Sequence, residues 1–206
     1  MKLWQWLTDI RPIPPRLPGV WEAGRIALVL LAGLIAGVAA KASDSVSFLG
    51  DLGTGMGVWV FTATLLAAYA HRPDGAALHV PVFFLGMLAG YYAYGQWVLG
   101  FFPRAYALGW LLLALGTPLP AFALWFARGR GPVAAALTAL PAGFLFAIGT
   151  HAFYTADPVA ITALLLGVAL LAALPRSGRS RLLALFLALL LALMFHGLRR
   201  VGLPLY

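Results

Sequence analysis

From Gly75 to Pro103, and again from Ala105 to Ala127, the chain runs without a Lys, Arg, Asp or Glu. A helix needs about 17–25 apolar residues to cross the hydrocarbon of a bilayer. Inside that hydrocarbon the backbone must satisfy its own hydrogen bonds, which an α-helix does within one segment. Runs of this length therefore point to spanning helices. Composition agrees, because 63% of residues are hydrophobic and 10% charged, against about 45–50% and 25% in soluble domains. A water-soluble fold is excluded. The predicted class is all-α, a polytopic integral membrane bundle. Its candidate segments are Arg25 to Ala40, Gly55 to Ala70, Ala76 to about Gly100, Ala105 to Ala127, Pro132 to Tyr154, Pro158 to Leu174 and Leu182 to Leu198. That makes about seven transmembrane helices, or six if one short segment is re-entrant or interfacial.

Lys and Arg in alternate connections set the expected orientation. One side collects Lys2, Arg11, Arg16, Arg25, Arg72, Arg128, Arg130, Arg176, Arg179 and Arg181; the other has Lys41, Arg104, Arg199 and Arg200. Ten against four places the N-terminus in the cytoplasm. Residues 1–22 read as an interfacial segment and 23–206 as one transmembrane domain. In the former, Trp4, Trp6, Leu7, Ile10 and Trp21 stand with Lys2, Arg11 and Arg16, which suits the anionic cytoplasmic leaflet. Prolines at 12, 14, 15 and 18 should end its helix near Ile10 and leave an extended stretch. A cleavable signal peptide is not expected there, for want of a continuous apolar core. The chain has no cysteine, so thiol catalysis, iron–sulfur clusters and thiolate zinc sites drop out. Its net charge of +8 is scattered at segment ends rather than gathered in a stripe, so membrane lipids rather than nucleic acid are the expected partners.

Small residues recur at helical spacing. Gly33 with Gly37, and Gly86 with Gly90, would each let another backbone approach closely, and Ala32, Ala36 and Ala40 form a further stripe. These serve either internal packing or association with a second copy or a transport partner. Gly116, Thr117, Pro118 and Pro120 predict a kink in the fourth segment, where freed carbonyls either line a site or are satisfied by Thr117 and neighbouring helices. Pro81 and Pro141 are further candidate kinks.

Drawn with this topology, polar and aromatic groups gather at the outer membrane level. Asp44, Ser47 and Asp51 lie at and before a glycine-rich stretch of Gly50, Gly53, Gly55 and Gly57. Tyr91, Tyr92, Tyr94, Gln96 and Trp97 end the third segment; Arg104, Tyr106 and Trp110 open the fourth; His151, Tyr154 and Asp157 follow the fifth, and His196 lies in the last. Many of the aromatics fit an interfacial belt. The carboxylates are less easily assigned to one. Asp44 and Asp51 would share a face if that stretch is helical. The expected substrate-binding set is Asp44, Asp51, Tyr91, Tyr94, Arg104, His151 and Asp157, an outward-facing aromatic and acidic cavity for a cationic or amphipathic small solute. Elsewhere, His79 either relays protons or bonds a carbonyl freed by Pro81, and His71, Arg72 and Asp74 read as a solvated turn.

Two other functions are open. Asp44, Asp51, His151 and Asp157 could hold a metal or supply acid–base groups for a lipid-linked substrate, although HExxH, GxSxG and a Walker loop are all missing. A membrane assembly or structural role is the other. No cofactor or metal is expected on the leading reading.

The stretch from Phe48 to Gly131 contains Leu-Gly-Asp-Leu-Gly, Gly-Val-Trp-Val-Phe-Thr-Ala-Thr-Leu, Phe-Phe-Leu-Gly-Met-Leu-Ala-Gly-Tyr-Tyr, Phe-Phe-Pro-Arg-Ala-Tyr and Trp-Phe-Ala-Arg-Gly-Arg-Gly. It resembles a family of uncharacterised bacterial multi-pass membrane proteins, a domain of unknown function. The resemblance implies a bacterial inner-membrane location and carries no activity. In architecture the chain is also similar to the substrate-binding membrane subunits of energy-coupling-factor transporters. That likeness implies a transport partner on the Ala32, Ala36 and Ala40 stripe and solute at the outer aromatics; a seventh helix departs from it.

Overall fold

The computed structural model describes residues 2–44, 46, 50–51, 53, 55–100, 102–150, 152–155 and 157–200. Regular structure among them is helical throughout. The helices are α1 (Lys2–Ile10), α2 (Gly19–Ser43), α3 (Met56–Tyr69), α4 (Pro73–Leu99), α5 (Arg104–Gly116), α6 (Pro118–Leu124), α7 (Gly131–Gly149), α8 (Pro158–Ala173) and α9 (Gly178–Arg200). A 3₁₀ turn covers Trp125–Arg128 and a single helical turn covers Ala152–Thr155. As the prolines require, α1 stops at Ile10 and residues 12–18 are not helical.

Seven apolar segments fold as helices, but the expectation of seven full-length spans needs correction. Four helices are long and apolar enough to cross a membrane, at Gly19–Ser43, Pro73–Val98, Gly131–Gly149 and Gly178–Leu198; a bent pair, Arg104–Gly116 with Pro118–Arg128, makes a fifth if it is one span. The helices α3 and α8 have 14 and 16 residues. At 1.5 Å per residue they measure roughly 21 and 24 Å, against about 30 Å of hydrocarbon. Prolines trim α8, with Pro158 at its first turn and Pro175 just past its end.

The predicted kink is present as a 42° bend between α5 and α6. Pro118 has no N–H to give the Ala114 carbonyl four residues back, and the Thr117 hydroxyl donates to that carbonyl at 2.7 Å instead. The freed group is thus satisfied locally. Helices α4 and α7 run on through Pro81 and Pro141.

Contacts divide the chain into two units. The unit of Ile13–Gly55 and Tyr69–Trp125 is organised by glycine. A Cβ added at Gly33 or Gly37 would collide with the carbonyls of Phe83 or Met87, and one at Gly86 or Gly90 with those of Leu30 or Leu34. Both glycine pairs are therefore spent on each other. Because the contacted residues rise together along both helices, α2 and α4 lie parallel, backbone against backbone. Helices α5 and α6 also pack on α4, and Trp125, fully buried, donates its indole N–H to the Ala70 carbonyl at 2.9 Å.

In the unit of Met1–Pro12, Met56–Ala68 and Phe126–Tyr206, α7 is the central helix. Gly149 meets Ala160 and Leu164 while Gly167 meets Phe146 and Ala142, so α7 and α8 are antiparallel. Gly143 meets Ala188 and Leu191 of α9. Fully buried alanines, among them Ala135, Ala139, Ala142, Ala184 and Ala188, let these helices approach closely. Leu182, Phe186 and Leu193 stay exposed on α9, as lipid-facing side chains would. Ile10 at the end of α1 accepts the Arg130 N–H at 2.9 Å, and Arg11 donates to the Ala68 carbonyl at 2.9 Å. Burial first, then the charges of Arg128 and Arg176, lowers the Arg11 guanidinium to about 10.

Candidate functional site

The parallel pair α2 and α4 brings two helix N-termini to one place. Leading into α2 is a proline-rich extended stretch, whose carbonyls have no helical partners and so accept from side chains. Arg72 Nη1 donates to the Pro14 carbonyl and His71 Nε2 to the Pro15 carbonyl, the latter at 3.0 Å. A carbonyl only accepts, so His71 carries its proton on Nε2. Arg72 Nε donates to Asp74 Oδ1 at 2.9 Å, and Arg16 Nη2 stands 3.6 Å from Asp74 Oδ2. Asp74 sits in the first turn of α4, where the helix dipole favours an anion. The expected turn keeps Asp74 exposed and also docks the chain leading into α2. For Arg72 and His71 the docking partners are backbone carbonyls, which no side-chain pattern reveals.

Beside this dock, Glu22 in the first turn of α2 meets His79 in the second turn of α4, Oε1 to Nε2 at 3.1 Å. The imidazole is 6% exposed and the Glu22 side chain 33%. Of the two readings of His79, the bond to a carbonyl freed by Pro81 gives way to a bond with a carboxylate, and the proton relay is untouched by it. Gly75 lies between the two, and a Cβ there would reach 3.5 Å from Glu22 Oε1 and 3.7 Å from the His79 ring. A cavity of about 320 Å³ opens here, lined by Arg16, Glu22, His71, Asp74, Leu78 and His79 among others. Its groups are an imidazole–carboxylate pair, a second imidazole, two guanidiniums and a second carboxylate, with apolar wall from leucine.

At the other end of the same two helices stand the expected outer residues. Asp44 Oδ2 accepts from Lys41 Nζ at 2.7 Å and from the Tyr91 hydroxyl at 3.4 Å, and Lys41 Nζ lies 5.0 Å from the Tyr91 ring centre. Tyr91 continues edge-on into Tyr92, and Tyr92 into Phe102, each at 5.3 Å. Asp44 and Tyr91 are therefore brought together, with Lys41, read from sequence as an orientation signal, as their third member. Tyr94 is half-buried on α4, Arg104 is exposed at the first residue of α5, and Asp51 is exposed. Asp157 belongs to the other unit, where it caps α8 by accepting the Val159 N–H at 3.0 Å. His151 and Ser47 lie outside the described residues, as does most of the stretch that would set the relative faces of Asp44 and Asp51. Trp97, Tyr106 and Tyr154 are strongly exposed, as belt aromatics would be.

Among the described residues no three His, Cys, Asp or Glu side chains converge as a metal site. The Glu22–His79 pair was missed because Glu22 was assigned to the interfacial segment. A signal for it exists: the shift along the chain that carries Gly33 onto Gly86 also carries Glu22 onto Gly75, one turn from His79. Comparison with protein-family models, curated proteins and solved structures returned no match, so function must be argued from these residues.

Proposed function

We propose that this chain is a multi-pass protein of the bacterial inner membrane that binds a small polar solute, as a step in moving it across, at the cavity holding Glu22 and His79. The carrying observation is that pair: a nearly buried imidazole held on a carboxylate at the edge of a space large enough for a small molecule. Ionisable side chains within spanning helices are costly and concentrate on substrate and ion pathways. The outer acidic end supports the reading less, because Lys41 already neutralises Asp44 at 2.7 Å.

The topology proposed with it keeps the N-terminus in the cytoplasm and returns the chain between α2 and α4. Parallel α2 and α4 favour this, since the chain leaves α2 at one end of the pair and enters α4 at the other. Residues 44–72 must return over that distance, and the 14 residues of α3 lie within them. The excess of Lys and Arg then puts the Glu22–His79 cavity on the cytoplasmic side. Membrane lipids are the constant partners; a second copy or a transport subunit would have to use surfaces other than the glycine pairs.

Native mass spectrometry of the protein released from a mild detergent tests the reading. A stoichiometric polar molecule is expected in the parent and absent from folded Glu22→Gln and His79→Gln variants. Retention of the same molecules in all three would overturn it.

A further inference from the structure

The charged groups lining the cavity at the start of α2 and α4 are unequally engaged. Arg72 is spent, with Nε on Asp74, Nη1 on the Pro14 carbonyl and 18% of its side chain exposed. His71 is spent on Pro15. Two lining charges keep capacity. Glu22 uses one carboxylate oxygen on His79 and remains 33% exposed. Arg16 lies 3.6 Å from Asp74, its side chain 81% exposed, with most of its five N–H donors still available. One carboxylate and one guanidinium thus line the same space, and the recorded ion pairs match each of them to a different residue.

A solute of single charge would use the spare capacity of one of these groups and leave that of the other unused. A solute carrying both signs answers both. On the solute-binding reading above, we infer that the cavity accepts a small zwitterion, its ammonium on Glu22 and its carboxylate or phosphate on Arg16. The volume of about 320 Å³ suits a molecule of the size of an amino acid or an aminoalkyl phosphate. Leu17 and Leu78 give it a short apolar wall. Two sources carry this chemistry: a free zwitterionic metabolite, and the headgroup of an ethanolamine phospholipid at the membrane surface.

The full-length protein in mild detergent is titrated calorimetrically with O-phosphoethanolamine, ethanolamine and inorganic phosphate. It is then mixed with equal phosphatidylethanolamine and phosphatidylglycerol and examined by native mass spectrometry. Phosphoethanolamine is expected to bind at least about tenfold more tightly than either singly charged probe, with Glu22→Gln and Arg16→Gln each removing that advantage. A free solute as source shows this in the titration with no lipid preference. A headgroup as source adds Glu22-dependent retention of phosphatidylethanolamine over phosphatidylglycerol. Ethanolamine binding as tightly as phosphoethanolamine, unchanged by Arg16→Gln, overturns the zwitterion while leaving a Glu22-dependent solute site. Absence of any Glu22-dependent ligand overturns both readings. Arg16 is exposed, so its variant tests the inference without risk to the fold.

Discussion

Helices α2 and α4 run side by side over their length, yet their two ends are built differently. At the end holding Asp44 the charges are neighbours in sequence: Lys41 and Asp44 lie one turn apart on α2, and Tyr91 of α4 leans on the pair. At the end holding Glu22, the paired groups come from different helices, the imidazole is nearly buried, and both border a cavity. A local i,i+3 pair forms wherever the helix forms and contributes little. A pair assembled between helices exists only while their register is kept, and it exposes unsatisfied capacity to whatever enters. On the proposed reading, the site is marked by one carboxylate aligned with one histidine through glycine packing rather than by carboxylates and aromatics at one membrane level.

The largest expected effect removes the comparison altogether. Gly37→Leu should separate α2 from α4 and cost upward of about 2 kcal/mol, read as a fall in melting temperature or loss of folded protein in detergent. Gly24→Ala on the same helix, where an added Cβ meets nothing within 4 Å, should be neutral or slightly stabilising. Equal effects at the two positions would refute close packing as the organising contact.

Next in size, Glu22→Gln should destabilise by about 1–2 kcal/mol, the charge-assisted bond being discounted because the carboxylate is one-third exposed. A double-mutant cycle with His79→Gln should return most of this as coupling, while the corresponding Lys41 and Asp44 cycle returns less than about 0.5 kcal/mol. Reversal of that order would make the Asp44 end the stronger site. Asp157→Ala tests a residue that sequence placed in the binding set. Loss of its cap on α8 predicts about 1 kcal/mol of destabilisation with ligand retention unchanged. Smallest of all, Asp44→Asn should shift stability by less than about 0.5 kcal/mol and leave retention intact.

What was legible in the sequence followed from properties that act within one segment. Hydropathy located the apolar segments, Pro12 to Pro18 ended α1 at Ile10, and Pro118 with Pro120 marked the bend. The glycine pairs announced close packing, and the fold assigns them to each other. Properties that depend on two segments were harder. Hydropathy does not record where a helix stops, so α3 and α8 stand among the seven candidate segments, with one short segment allowed to be re-entrant, although neither reaches full span length. Arg72 and His71 looked solvated because their partners are the carbonyls of Pro14 and Pro15. Lys41 was counted for its charge alone, although its position one turn before Asp44 already implied the neutralising pair.

The central claim is that solute binds at the Glu22 end of the α2–α4 pair and not at the Asp44 end. Native mass spectrometry of the parent, Glu22→Gln and Asp44→Asn/Asp51→Asn proteins, purified side by side, tests it most directly. A small polar or headgroup-bearing ligand should remain on the parent and on the Asp44→Asn/Asp51→Asn protein and be missing from Glu22→Gln. Loss of the ligand from the Asp44→Asn/Asp51→Asn protein with retention on Glu22→Gln would contradict the account and return the site to the outer aromatic end.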